Sequence, residues 1–149
     1  LNEPDEAESI CLDILKSQPD HQEALITLLL ALTDKFPQSG VTPAFDQAQK
    51  IVDNLDNSYS KSYYNGVIYE RRAKFHLKQG GPGGPTAAHD WFVKAMESFT
   101  EALSVDDPKN QEAVLRWNSC ARILNSRPDI KADDSSGAEM LLDSFETPH

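Results

Sequence analysis

The residues that could do chemistry in this chain are few: Cys11 and Cys120, His76 and His89, and the carboxylates nearest the histidines in sequence, Glu70 and Asp90. A nucleophilic enzyme needs a serine or cysteine with a histidine in hydrogen-bond reach and a third group orienting that base. No GxSxG elbow is present. Cys120 falls at helical spacing with Trp117, Ala121 and Leu124, the environment of a packed, inert thiol, and Cys11 reads the same way within an apolar stripe. Metal binding wants ligands converging from one helix face, as in HExxH, which does not occur. His89 and Asp90 are adjacent, so a helix splays them by about 100° instead of aiming them at one ion. The glycine-rich stretch 80–84 lacks GxxxxGK[ST] and a preceding strand, so it is no phosphate cradle. The expectation is a protein without catalytic residues, cofactor or metal. A metal-dependent helical bundle using His76, His89, Glu70 and Asp90 is the rival from another class.

Charge narrows the partners. Among 149 residues, 24 are acidic and 14 basic, a formal charge of −10, the wrong sign for neutralising the phosphates of nucleic acid or an anionic membrane. The longest apolar run, 28–32, is five residues, far short of the roughly 20 that span a bilayer. Two unpaired cysteines and no CxxC spacing exclude a disulfide framework and fit a cytoplasmic setting. The chain starts without methionine, which suggests a piece of a longer protein. Charge is also uneven: residues 1–24 carry seven acids and one base, whereas 61–80 carry five bases and one acid. Within that island Arg71, Lys74 and Lys78 follow i, i+3, i+7 and share one helix face.

The elements that would position these side chains are helices. Ala7, Ile10, Cys11, Ile14 and Leu15 make an amphipathic stripe over 4–17, closed by Pro19. A second helix is expected over 21–36, capped by Asp20 and closed by Pro37 and Gly40; a third over 43–57 opens at Thr42-Pro43. A long fourth helix, 61–79, stops at the glycine-proline loop 80–85. A fifth, 86–105, carries Trp91, Phe92, Ala95, Phe99 and Ala102, and a sixth, 109–125, carries Ala113, Trp117, Cys120 and Leu124. Nothing alternates in strand fashion, so the fold should be all-α.

Repeats underlie this order. Ala95, Phe99, Ala102, Leu103 and Pro108 resemble the second helix of a tetratricopeptide repeat (TPR), and Ala113, Val114, Trp117 and Ala121 resemble the opening of a following first helix. Ala7, Cys11 and Pro19, followed by Leu25, Leu28, Leu29 and Leu32, are similar to the same pattern. The resemblance implies a right-handed superhelix of antiparallel helix pairs, a TPR-like α-solenoid. Residues 1–125 would hold a half repeat (5–19), pairs 21–57 and 61–105, and a capping helix 109–125. Residues 126–149 read as an acidic linker followed by an amphipathic tail with a short helix, its anchors Leu141, Leu142 and Phe145 at helix-in-groove spacing.

In TPR arrays the first helix of each pair lines a concave groove. Carried over, that face would comprise Ile26 and Leu30, then Arg71, Lys74 and Lys78, then Leu115, Asn118, Ser119 and Arg122. Asn118 and Arg122, four apart, could hold one ligand carboxylate, a faint likeness to the carboxylate clamp of co-chaperone TPR proteins. Ile26 and Leu30 stand where that clamp has polar residues, so chaperone tails are not the expected ligand. The implied function is a non-enzymatic scaffold or adaptor that binds a protein or peptide, the basic face being suited to an acidic one. The alternative is a self-assembling structural module in which the unpaired first helix or the tail meets a second copy.

Overall fold

At some turns among the described residues a side chain stands in for missing helix hydrogen bonds, as His21 does for Ala24 N and Asn57 for Ser60 N. In the computed structural model, which describes residues 3–39 and 41–132 (side chains at 4–37 and 41–132), the order is α1 (Glu3–Ser17), α2 (Gln22–Asp34), the single-turn α3 (Phe36–Ser39), α4 (Val41–Val52), α5 (Ser58–Gln79), α6 (Gly84–Leu103) and α7 (Asn110–Ser126). Among the described residues there is no strand, and no helix is long and apolar enough to cross a membrane.

Several boundaries differ from expectation for local reasons. His21, not Asp20, caps α2: its Nδ1 accepts from the Ala24 amide at 3.1 Å. The second helix ends at Asp34 and not at Phe36, because the chain bends at Lys35 and Phe36-Pro37 open the extra turn α3. Thr42 and Pro43 lie inside the first turn of α4, one residue past its start. The third helix stops at Val52, and Asn57, expected as its end, instead caps α5, accepting from Ser60 N at 2.7 Å. That cap starts α5 three residues before the expected 61. Gly80 and Gly81 adopt φ of +74° and +88°, open to glycine but strained for other residues, and there the chain leaves α5. Pro85 sits in the first turn of α6, where its missing N–H costs nothing.

Two hydrophobic clusters form the core. Cys11, Ala24, Leu25, Leu28, Leu29, Leu32, Phe36, Ala44, Phe45, Ala48 and Val52 join α1, α2, α3 and α4. Tyr59, Tyr63, Val67, Ala88, Phe92, Ala95, Phe99, Ala113 and Cys120 join α5, α6 and α7. Leu30, Tyr64, Tyr69 and Trp91 touch both, so the interior is continuous. Ile130, read from sequence as linker, is buried against the second cluster.

Helices pack mainly on their neighbours in sequence, α5 against α6 most extensively, and α2 also meets α5. Ion pairs supplement the packing at the first end: the Lys35 ammonium, 2.7 Å from Glu8 and 3.1 Å from Asp5, ties the end of α2 to α1. At Gly66 α5 lies so close to α6 that a Cβ there would sit 2.5 Å from the Phe99 ring. In an open helix Gly66→Ala would add about 1 kcal/mol. Here the Phe99 ring is fully buried and has to shift within the packed core, so the substitution should lower stability by about 1–2 kcal/mol in denaturant unfolding. A gain in stability would show that α6 yields freely.

Candidate functional site

α5 carries the basic island, and what each cation touches decides what it can do. Arg71 reaches across to α2: its NH1 donates to Thr33 Oγ1 (2.7 Å), Asp34 Oδ1 (2.9 Å) and the Leu30 carbonyl (3.4 Å). Arg72, next along the helix, sets its guanidinium in a slot against two adjoining rings, 4.4 Å from the Phe45 centroid and 4.2 Å from that of Trp91. Desolvation in that slot lowers its pKa, although Asp46 opposes the shift. Lys74 lies 2.7 Å from Glu70 Oε2. Lys78, exposed in the last turn, has no ion-pair partner among the described residues.

Glu70 is the buried member of this set, with its side chain only 3% exposed. Lys74 contacts one oxygen, and Arg116 NH1 from α7 stands 3.6 Å from the other. Arg116 Nε donates to the Tyr63 hydroxyl at 2.9 Å, so the same guanidinium bridges two turns of α5. Cys120 lies in this cluster; burial first, then the negative Glu70, pushes its thiol pKa up to about 12. Such a thiol is protonated and inert at neutral pH. Burial also raises the Cys11 pKa.

Arg71, Lys74 and Lys78 do share a face. Together with Thr33, Asp34, Phe36, Pro37 and Phe75 they line one open depression of about 240 Å³ between α2, α3 and α5. A neighbouring hollow of about 320 Å³ is lined by Pro37, Phe75, Lys78 and Gln79, which leaves Lys78 on the rim of both. Phe36 and Phe75 meet edge to face with centroids 6.2 Å apart and form the apolar floor.

The other expected contact residues do not line this depression. Ile26 is half-buried against the first core cluster, and Leu30 packs between both clusters. On α7, Leu115 is 57% exposed and Asn118 is exposed. Ser119 and Arg122 line a separate shallow hollow with Ile123, Asn125 and Ser126. Leu141, Leu142 and Phe145 lie outside the described residues. Phe36, Pro37 and Thr33 were not anticipated as lining because Phe36-Pro37 reads as a helix terminator, and the turn α3 carries no distinct periodicity.

The four residues of the metal-enzyme rival are engaged separately. Glu70 faces Lys74 and Arg116, whereas His89 Nδ1 lies 3.5 Å from its neighbour Asp90. Among the described residues no three histidine, cysteine or carboxylate side chains converge as metal ligands would. Compared with protein-family models, with curated proteins and with solved structures, the chain matches none.

His76, one turn beyond Arg72, buries its Nε2 without a hydrogen-bond partner. Desolvation, then the Arg72 charge, lowers its pKa. The folded chain therefore resists a proton that the unfolded chain accepts near pH 6.5, and stability should fall as pH drops from about 6.5 through the lowered folded value. His76→Leu should lose that component. Thermal midpoints recorded between about pH 7.5 and 5 should fall less steeply in the variant; parallel curves would mean that His76 is solvated.

Proposed function

We propose that this protein is a non-enzymatic, TPR-like α-solenoid scaffold that holds a protein or peptide segment along the side formed by α2, α5 and α7. The depression of Arg71, Lys74, Lys78, Phe36, Pro37 and Phe75 carries this reading, because it combines an apolar floor with a cationic wall on the helix that would line a TPR groove. Alternate helices also touch, as stacking of pairs requires. Arg71 joins α5 to α2, Arg116 joins α7 to α5, and Phe45 of α4 meets Trp91 of α6 at 5.2 Å.

The resemblance itself gains support inside α5. Gly66 and Tyr69 have the glycine-x-x-tyrosine spacing of a repeat's first helix, and Gly66 faces Phe99, the bulky residue of its partner helix. The raised thiol pKa of Cys120 supports the non-enzymatic part of the reading.

A random peptide library displayed against the whole chain, followed by NMR mapping of a selected peptide, tests the proposal. Amide shifts should concentrate on α2, α5 and α7. Shifts confined to α1, α4 and α6, or a selection that yields no binder, would overturn it.

A further inference from the structure

We propose that the depression between α2, α3 and α5 receives an acidic peptide carrying one large apolar side chain, with Lys78 as the specificity-determining contact. This inference rests on the scaffold reading above and names the kind of segment that the site takes.

The floor sets the apolar requirement. Phe36 is buried, Phe75 is half-buried with its ring nearly perpendicular to that of Phe36, and Pro37 is exposed between the two hollows. A space of about 240 Å³ falls below the roughly 300–1,000 Å³ of small-molecule pockets and suits a single side chain of a longer ligand. The wall sets the charge requirement. Of its three cations, Arg71 is held by Asp34 at 2.9 Å and Lys74 by Glu70 at 2.7 Å. Lys78 alone among them has no carboxylate partner among the described residues, and it stands at the rim of both hollows. A ligand carboxylate beside the buried apolar anchor would supply the missing counter-charge.

The setting sharpens this preference. The chain is formally −10, so its long-range field does not attract an acidic segment. At physiological ionic strength that field is screened within about 8 Å, and the local contact with Lys78 decides. Salt should therefore weaken binding only modestly, and the apolar anchor should supply most of the affinity while the charge selects among anchors.

The test uses the whole chain and a fluorescein-labelled peptide with one phenylalanine between two pairs of glutamates, read by anisotropy. Replacing the glutamates by glutamines should weaken binding about five- to tenfold, and replacing the phenylalanine by serine should weaken it more. Lys78→Glu, which turns attraction into repulsion, should weaken the acidic peptide at least five- to tenfold and bring it to or below the level of the glutamine peptide, whereas Lys50→Glu on α4 should leave it unchanged. Lys78 is exposed and has no ion-pair partner among the described residues, so its substitution is not expected to disturb folding, which circular dichroism would check. Equal binding of the acidic and glutamine peptides, with Lys78→Glu silent, would overturn the inference and leave the scaffold reading standing if the shifts still map to α2 and α5. Failure of the acidic peptide to bind while library peptides do would also overturn it alone. Failure of every peptide would remove both.

Discussion

A carboxylate buried in a helix interface is the constraint around which this molecule is arranged. Glu70 projects from α5 toward α7 with almost no exposure, and a lone charge in that position would lose several kcal/mol of solvation. Two cations offset the loss from different directions. Lys74, one turn along the same helix, neutralises Oε2, and Arg116 brings a second positive charge from α7. Because Arg116 is also fixed by the Tyr63 hydroxyl, α7 has one favourable placement along α5. Hydrophobic packing of Ala113 and Cys120 is less selective, since small side chains tolerate sliding. Buried polar pairs contribute more to uniqueness than to net stability, and this cluster fits that role.

That arrangement determines what remains for binding. The sequence places five bases and one acid within 61–80, which reads as a broad basic surface. Folding commits most of that charge internally. Arg71 joins α5 to the end of α2, and Arg72 lies against the adjoining rings of Phe45 and Trp91, where a lysine could not stack as a plane. Lys74 faces Glu70, which leaves Lys78 in the last turn. An island that looks like one large electrostatic patch is, through Arg71, Arg72 and Lys74, a series of internal contacts, and among the described residues only Lys61 and Lys78 at its two ends have no such partner.

Legibility from sequence follows the range of the interaction concerned. Helix type and order were legible because the 3.6-residue stripe repeats along each segment, as in Ala7, Cys11 and Ile14, and because glycine and proline mark 80–85 so strongly. The shared face of Arg71, Lys74 and Lys78 was legible for the same reason. Caps were less so: Asp20 and Asn57 are both good capping types, and which one caps depends on where the neighbouring helix lets the chain turn. The α7 partner of Glu70 and the aromatic partners of Arg72 lie 46 residues and 19 to 27 residues away in sequence, with no local pattern to announce them. The Phe36-Pro37 wall was hidden because one short turn has too few residues to show a period.

The depression itself is a consequence of unequal helix lengths. At 1.5 Å per residue, the 22 residues of α5 span about 33 Å, whereas the 13 of α2 and 12 of α4 span about 20 and 18 Å. The last turns of α5 therefore run past the ends of both neighbours, and their apolar residues would stand bare in solvent. α6, with 20 residues, covers one side of that overhang, held there by the tight glycine turn after Gln79. On the other side only the single turn α3 is available, and it supplies Phe36 and Pro37 but is too short to close over Phe75. Lengthening α3 into a full helix would bury Phe75 and abolish the hollow; shortening α5 by two turns would remove Phe75 and Lys78 together. Apolar floor and uncommitted cation thus have a common origin in the overhang.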